Sequence, residues 1–555
     1  MSNSIPDTST SYETPKVGFN WLIPLFAISV AFVGAFLIIP LGRILQETAG
    51  ILTSGDRPLP QGFFPYMFRI TLNSLRLATL TTLFSLGIAI PLAVAISKLQ
   101  VKFGTAWTVL LTVPLITPPF ISSFATILLL GRTGILMRLW VMMGFQSFSI
   151  YGLNGLVITQ VLHLMPYSLL IILAGLKTVP ASIEEAAQSL GETFFGTIRK
   201  IVLPYTVPHI LMGGTLVFLT SLGDVGAPLL IGGNYRVLPV EIYTNFVSYL
   251  GDDRIPVIFS AWIIFMASIM MIAVKYLLKK AEVKHSFKVR TISYDLPVLR
   301  RVATGAIAVI TLFFLLPYAA IVVSSFGTIW TTGWLPNEFT TVHYQRAILQ
   351  AGPIRNTLLL LAGAMPIAVL VSVGLGQMHR SVPRMKWFDY FTLLPFIIPG
   401  VVIGVGITRS YGTLQIGGFD FTATAWVLIM ALAIRRLPHA VRVLTAGFAR
   451  IDKSLEEASW SLGASPSRTF KDIVLPQLRP TIFAASVILA VKLVTELGAT
   501  LILYPPGWDT MAVYIYYYVS EGQIARGSAM GVVLIIMVAA GTAYSNRFSK
   551  NKRLT

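Results

Sequence analysis

Charged residues are separated along this chain by apolar runs much longer than a buried strand or the inner face of a soluble helix requires. The first run, Val17 to Gly42, carries no charge over 26 residues. At 1.5 Å per residue it outruns a hydrocarbon core of roughly 30 Å. Comparable runs recur near 70–97, 105–130, 150–176, 205–232, 255–278, 302–326, 356–378, 388–409, 421–446, 479–503 and 527–546. They are continuous rather than alternating, so they predict helices and not a barrel. The expected fold is an all-α polytopic membrane protein with about twelve transmembrane helices. The tenth and eleventh runs are interrupted by charges, and the stretch between the third and fourth has room for an interfacial helix.

Composition narrows the class. The chain is 55% hydrophobic and 12% charged, with mean hydropathy +0.75 over 555 residues. A soluble domain carries about 25% charged residues, so a soluble enzyme and a disordered chain are both excluded. Zero cysteines exclude disulfides and thiolate metal sites. The net charge of +19 reads as basic loops on the cytoplasmic side rather than as a nucleic-acid surface. Lys275, Lys279, Lys280, Lys284, Lys288, Arg290, Arg300 and Arg301 cluster at mid-chain, and Arg547, Lys550, Lys552 and Arg553 at the C-terminus. Lys98, Lys102, Arg380, Arg384 and Lys386 follow the second and eighth runs. An even number of spans puts all of them on one side, with both termini in the cytoplasm of a bacterial cell. Residues 1–16 have no basic n-region, so the first run is expected to stay as a span.

The chain repeats itself. Glu184 to Pro204, EEAAQSLGETFFGTIRKIVLP, matches Glu456 to Pro476, EEASWSLGASPSRTFKDIVLP, at an offset of 272 residues. The offset extends without a gap from Pro166 and Pro438 to Gly226 and Gly498. Further out it drifts, but Asn73 still resembles Asn356, and Pro114 with Pro118 resembles Pro395 with Pro399. Two homologous six-helix halves follow, in parallel pseudo-two-fold arrangement with a path between them. The expected organisation is a tail at 1–16, a first half at 17–282, a basic linker at 283–301, a second half at 302–546 and a basic tail at 547–555.

The repeated segment is polar and joins spans four and five of each half. Ser182 to Glu185 and Ser454 to Glu457 read as capping boxes opening short helices. Gly191 and Gly463 are expected to end those helices. Ser465 and Pro466 read as an N-cap and N1 pair, and Pro204 and Pro476 as the starts of the next spans. A connection of about 30 residues far exceeds the 2 to 8 that join helices in bundles.

E-A-A, three residues, G, nine residues, I-x-L-P resembles the pattern of binding-protein-dependent ABC transporter permeases. The first copy fits throughout; the second has Ser459 in place of the last Ala. The resemblance covers roughly 60–280 and 345–545. It implies that Glu185, Ala186, Ala187 and Gly191, with Glu457, Ala458 and Gly463, couple the membrane helices to two copies of a cytoplasmic ATPase subunit. It also implies a separate solute-binding protein, inward transport and a plasma-membrane location. The chain has no GxxxxGK[ST]; Gly191 to Gly196 has the spacing, but Thr197 follows. It is therefore expected to be a transport subunit rather than an enzyme, to bind no cofactor, and to leave ATP to its partner.

Ionisable residues at membrane depth are candidates for the path. Asp224 and Glu496 are repeat equivalents, roughly 24 Å from the cytoplasmic end of their spans at 1.5 Å per residue. Lys492, Arg435 and Arg436 lie at similar depth, and His163 is the equivalent of Arg435. Glu496 also has Lys492 one turn away as a simple ion-pair partner. A single chain holding both halves resembles the ferric iron type of permease. Asp224 and Glu496 supply hard oxygen ligands suited to such an ion. Relatives of similar layout serve aminoethylphosphonate, phosphorylated sugars or thiamine, and Arg435, Arg436 and Lys492 suit an organophosphorus anion. An ion-coupled secondary transporter is the alternative from another class.

Overall fold

The computed structural model describes residues 22–551 apart from 55–57, 133, 250, 281–289, 291, 329–335, 337, 350 and 382–387. The tail at 1–16, the start of the first span, Lys284, Lys288, Arg384, Lys386, Lys552 and Arg553 lie outside the described residues.

The first half runs α1 (Ile23–Ser54), α2 (Phe63–Lys98), α3 (Gly104–Leu111), α4 (Pro119–Leu130), α5 (Ile135–Met142) and α6 (Leu153–Leu176). It continues with α7 (Ala181–Ser189), α8 (Phe194–Leu222), α9 (Gly226–Ile231), α10 (Leu238–Val247) and α11 (Arg254–Lys280). The second half runs α12 (Pro297–Ser325), α13 (Val342–Leu349), α14 (Gly352–Ser381), α15 (Phe388–Ile397) and α16 (Gly400–Tyr411). After a two-residue hairpin, β1 (Gln415–Ile416) with β2 (Phe419–Asp420), come α17 (Ala425–Phe448), α18 (Lys453–Ser461) and α19 (Pro466–Val494). The chain closes with α20 (Gly498–Leu503), α21 (Met511–Ser520) and α22 (Ile524–Asn551).

Among the described residues, ten helices are long and apolar enough to cross a membrane. The two remaining expected spans are helical in a different way. The tenth, α17, carries Arg435, Arg436 and Arg442. The ninth is split into α15 and α16 before Gly400, where Pro399 is extended. Its counterpart, the third span, breaks in the same manner before α4 at Thr117 and Pro118. A proline disfavours helical geometry in the residue before it and donates no backbone bond. A further short helix, α5, follows α4 in the stretch between the third and fourth spans.

Spans five and eleven also differ from their expected course. Neither is continuous to 232 or 503. Each stops early, at Leu222 and Val494, and re-enters as the short α9 and α20. Nor do Pro204 and Pro476 start these spans. Both lie inside helices that begin at Phe194 and Pro466, just after a widened turn at Ile198–Val202 and Phe470–Val474. There the Leu203 amide donates to the Ile198 carbonyl, and the Leu475 amide to that of Phe470. The cause is the proline, which offers no N–H and would crowd the carbonyl four residues back.

Within each half, α2, α6 and α8, or α14, α17 and α19, pack as a triplet. The first span of each half packs on the last span of its own half, α1 on α11 and α12 on α22, and also reaches across to the other half. α1 lies on α14 and α16, and α12 lies on α3 and α4. Ser29 on α1 donates to the Val371 carbonyl at 3.3 Å, and the Tyr411 hydroxyl donates to the Ala35 carbonyl at 2.5 Å.

The triplets require glycine where helices cross. A Cβ on Gly175 would stand 2.4 Å from His209, and one on Gly447 2.5 Å from Thr481. These are equivalent positions at the inner end of each half. Gly447→Val is expected to destabilise the second half by about 1–3 kcal/mol, the usual cost of overpacking. A lowered thermal unfolding midpoint of the purified complex in detergent checks this.

Candidate functional site

The two repeated loops are built alike. α7 and α18 end at glycines with positive φ, +83° at Gly191 and +79° at Gly463. The chain then turns into α8 and α19, whose first amides are capped by side chains. Thr193 accepts from the Gly196 amide at 3.1 Å, and Ser465 from the Arg468 amide at 3.4 Å. The Ser465 cap agrees with the expectation; the Thr193 cap was not anticipated.

The capping boxes are not formed. α7 starts after Pro180, and Ser182 is already inside it. α18 is capped by Asp452, whose carboxylate accepts from the Ser454 amide at 3.0 Å. That bond holds the Asp452 carboxyl below its ordinary range. A charged acceptor earlier in the chain takes the amide, and the serine loses its role.

The first glutamate of each copy points inward instead. Glu184 is fully buried against Lys98, whose ammonium donates to it at 2.5 Å. The Tyr294 hydroxyl donates to the other carboxylate oxygen at 3.1 Å. Burial and the Glu184 charge push the Tyr294 phenol up to about 12, so it stays a donor at any physiological pH. In the second half Glu456 pairs with Arg380, which also donates to the Phe448 and Ile451 carbonyls. Thus Lys98 and Arg380, at the inner ends of α2 and α14, anchor the roots of α7 and α18. A doubled glutamate in each copy was the available signal, since a cap needs only one.

Outward from these roots, Glu185, Ala186, Glu457 and Ala458 are exposed, whereas Ala187 and Ser459 face the protein. The Ser459 hydroxyl bonds to that of Thr469 at 2.9 Å, which accommodates its departure from alanine. Leu190 and Leu462, at equivalent positions beside the glycines, are 88% and 89% exposed. The linker strand at the first loop is fixed by the Ala181 amide donating to the Arg290 carbonyl at 2.9 Å and the Tyr294 amide to the Lys98 carbonyl at 2.7 Å.

A cavity of about 470 Å³ lies between the halves. α6 supplies Gln160, His163 and Tyr167; α17 supplies Arg435, Arg436, His439 and Arg442; α19 supplies Lys492. Asp224 and Glu496 sit at the breaks before α9 and α20. All six candidate path residues therefore line one space.

Their bonding differs from the simple pairings. Asp224 Oδ1 accepts from the Gly226 amide at 3.1 Å and the Ala227 amide at 3.4 Å, and Oδ2 from the Gln160 carboxamide at 3.1 Å. Glu496 Oε1 accepts from the Ala499 amide at 3.3 Å, while Oε2 pairs with Arg436 and not Lys492. Lys492 reaches across to the Tyr167 hydroxyl at 2.6 Å. Arg435 donates to the Pro395 carbonyl at the break in the ninth span. His163 is buried with Nδ1 3.5 Å from the Ser122 hydroxyl. No group of three or more His, Asp or Glu side chains that could hold a metal ion occurs among the described residues.

Residues 85–283 and 364–551 each match the family described as binding-protein-dependent transport system inner membrane component. The chain belongs to that family. The two matched regions hold both loops and both cavity-lining breaks, and leave out the first spans α1 and α12. Among the family's relatives, the ferric transport system permease protein FbpB of Actinobacillus pleuropneumoniae is 28% identical over 494 residues, 87% of this chain and 71% of the relative. The Fe(3+)-transport system permease protein FbpB 2 of Haemophilus influenzae is 24% identical over 519 residues, 91% of this chain and 95% of the relative. The putative 2-aminoethylphosphonate transport system permease protein PhnV of Salmonella typhimurium is 33% identical over 243 residues, 42% of this chain and 89% of the relative.

Removing one partner of a buried ion pair leaves the other charge uncompensated. Lys98→Met is expected to cost about 3–5 kcal/mol, and the double variant Lys98→Met with Glu184→Leu to recover most of it. Unfolding midpoints of the three proteins in detergent check both outcomes.

Proposed function

We propose that this chain is the membrane subunit of an ATP-driven importer. In this reading it forms the path for ferric iron, which a solute-binding protein delivers and two copies of a separate cytoplasmic ATPase subunit drive. The observation that carries the reading is the pair of loops, each with a bonded root and an apolar tip left bare. Leu190 and Leu462 are nearly fully exposed on well-capped segments, which suits a surface another protein covers. Glu185, Ala186 and Gly191, with Glu457, Ala458 and Gly463, are the docking residues; Ala187 packs the first loop from beneath. The chain itself needs no cofactor, because ATP is bound and hydrolysed by the partner.

The basic residues set the orientation: both termini and both loops face the cytoplasm of a bacterial plasma membrane. Domain limits of 17–282 and 302–546, with the linker at 283–301, follow from the repeat. The ferric assignment rests on relatives that span most of the chain and on the hard oxygen donors of Asp224 and Glu496 in the cavity. A second reading, an organophosphorus anion, is favoured by the likeness of one half to the aminoethylphosphonate permease and by the cations of α17.

Vesicles containing this chain, its ATPase and its binding protein are expected to take up radiolabelled ferric iron only with ATP. Asp224→Asn and Glu496→Gln are expected to lower that uptake several-fold at equal membrane abundance. Uptake that persists without the ATPase would point to an ion-coupled transporter instead.

A Cβ at Gly191 or Gly463 meets nothing within 4 Å. Tryptophan there costs the isolated chain only about 1–2 kcal/mol for its left-handed backbone, but it obstructs docking. Gly191→Trp and Gly463→Trp are expected to insert normally and to lose at least tenfold in ATP-driven uptake. Unchanged uptake in both would sink the docking assignment.

A further inference from the structure

The cavity is symmetric in backbone and unequal in charge. The second half contributes Arg435, Arg436, Arg442 and Lys492; the equivalent positions of the first half are His163, Leu164, Leu170 and Thr220. Against these four cations the lining offers two carboxylates, Asp224 and Glu496. Both are already engaged. Glu496 neutralises Arg436, and the oxygens of Asp224 are held by two backbone amides and a carboxamide.

Arg435 also feels the Glu496 carboxylate, which leaves Lys492 and Arg442 with neutral partners alone. Lys492 lies on the Tyr167 hydroxyl, Arg442 stands 5.4 Å over the Phe396 ring, and Arg435 donates to a carbonyl. The buried Nε atoms of Arg435 and Arg436 and Nδ1 of His439 have no hydrogen-bond partner. Uncompensated positive charge and unspent donors at membrane depth are expensive. They are expected where an arriving ligand completes them.

We infer that this face of the cavity is an oxyanion site. The inference rests on the ferric reading above and deepens it: iron crosses as a neutral or anionic complex with an oxyanion ligand, not as a bare trivalent cation. Guanidinium groups match phosphate and carboxylate oxygens through paired donors, and Lys492 adds a point charge. The oxyanion end of the complex lies against α17 and α19, and the metal end faces the side formed by Gln160 and Thr220 with the Asp224 carboxylate. A bare ferric ion would meet two uncompensated positive charges on entering, which oppose it at any distance the cavity allows.

The test counts charge and iron together. Vesicles holding the whole complex are placed on a solid-supported membrane, and transport current is compared with radiolabelled iron delivered, supplied as ferric citrate and, separately, as ferric iron with phosphate. Zero or net negative charge per iron supports the inference; close to three positive charges per iron overturns it. Arg442→Gln and Lys492→Gln are expected to lower uptake at least tenfold at equal membrane abundance, with Arg442→Lys and Lys492→Arg retaining most of it. Full activity in both glutamine variants overturns the site. If wild type moves no iron, labelled 2-aminoethylphosphonate is tried in the same vesicles. Its uptake, lost in the glutamine variants, keeps the oxyanion site and ends the ferric reading. Uptake of neither solute by an assembly whose ATPase responds to binding protein ends both.

Discussion

A broken helix inside a membrane leaves amides and carbonyls that lipid cannot satisfy, so protein must surround every break. Among the described residues four spans are broken, before α4, α9, α16 and α20, and all four breaks line the cavity between the halves. The charges of the cavity are tied to those ends. Asp224 and Glu496 accept from the first amides of α9 and α20, and Arg435 covers a carbonyl at the end of α15. The polar cavity is thus a consequence of irregular backbone as much as of the charges that line it. The same carboxylates hold the re-entrant helices and face the space between the halves.

The inner edge follows a different logic. There the loops reach water, and their roots are held by ion pairs between α2 and α7 and between α14 and α18. The two pairs are not equivalent. Lys98 with Glu184 is closed over by Tyr294, whereas Arg380 with Glu456 keeps partial access to solvent. The first loop is therefore fixed by its own half and by the linker, because Tyr294 belongs to the segment leading into α12. The second loop is fixed by its own half.

Much of the architecture was legible because it depends on length and repetition. Apolar runs gave the spans, and the 272-residue offset gave the two halves and located both loops. Caps and breaks were harder to read. A serine three residues before a glutamate looks like a cap, but Pro180 and Asp452 lie upstream and start the helices earlier. Pro204 and Pro476 look like helix starts, but an existing helix can absorb a proline by widening one turn. The six path candidates were found because charge is rare at that depth. Their partners were not, since Arg436 with Glu496 and Lys492 with Tyr167 join residues 60 and 325 positions apart. Nothing in local spacing selects those pairs over Lys492 with Glu496.

The reach of the first spans across to the other half bears on how the molecule is made. α1 is the earliest of the described helices, and beside α11 of its own half it packs on α14 and α16, which begin about 300 residues later. Until then the face that meets α14 and α16 must wait in lipid. Its buried hydroxyl, Ser29, can wait because it also donates to the Leu25 carbonyl of its own helix at 2.8 Å. α12 faces no such delay, because α3 and α4 precede it. The first half therefore holds α1 at first only through α11, where the Thr48 hydroxyl donates to the Val257 carbonyl at 3.4 Å, and a ribosome stalled between the halves would release a chain whose α1 is packed along part of its length.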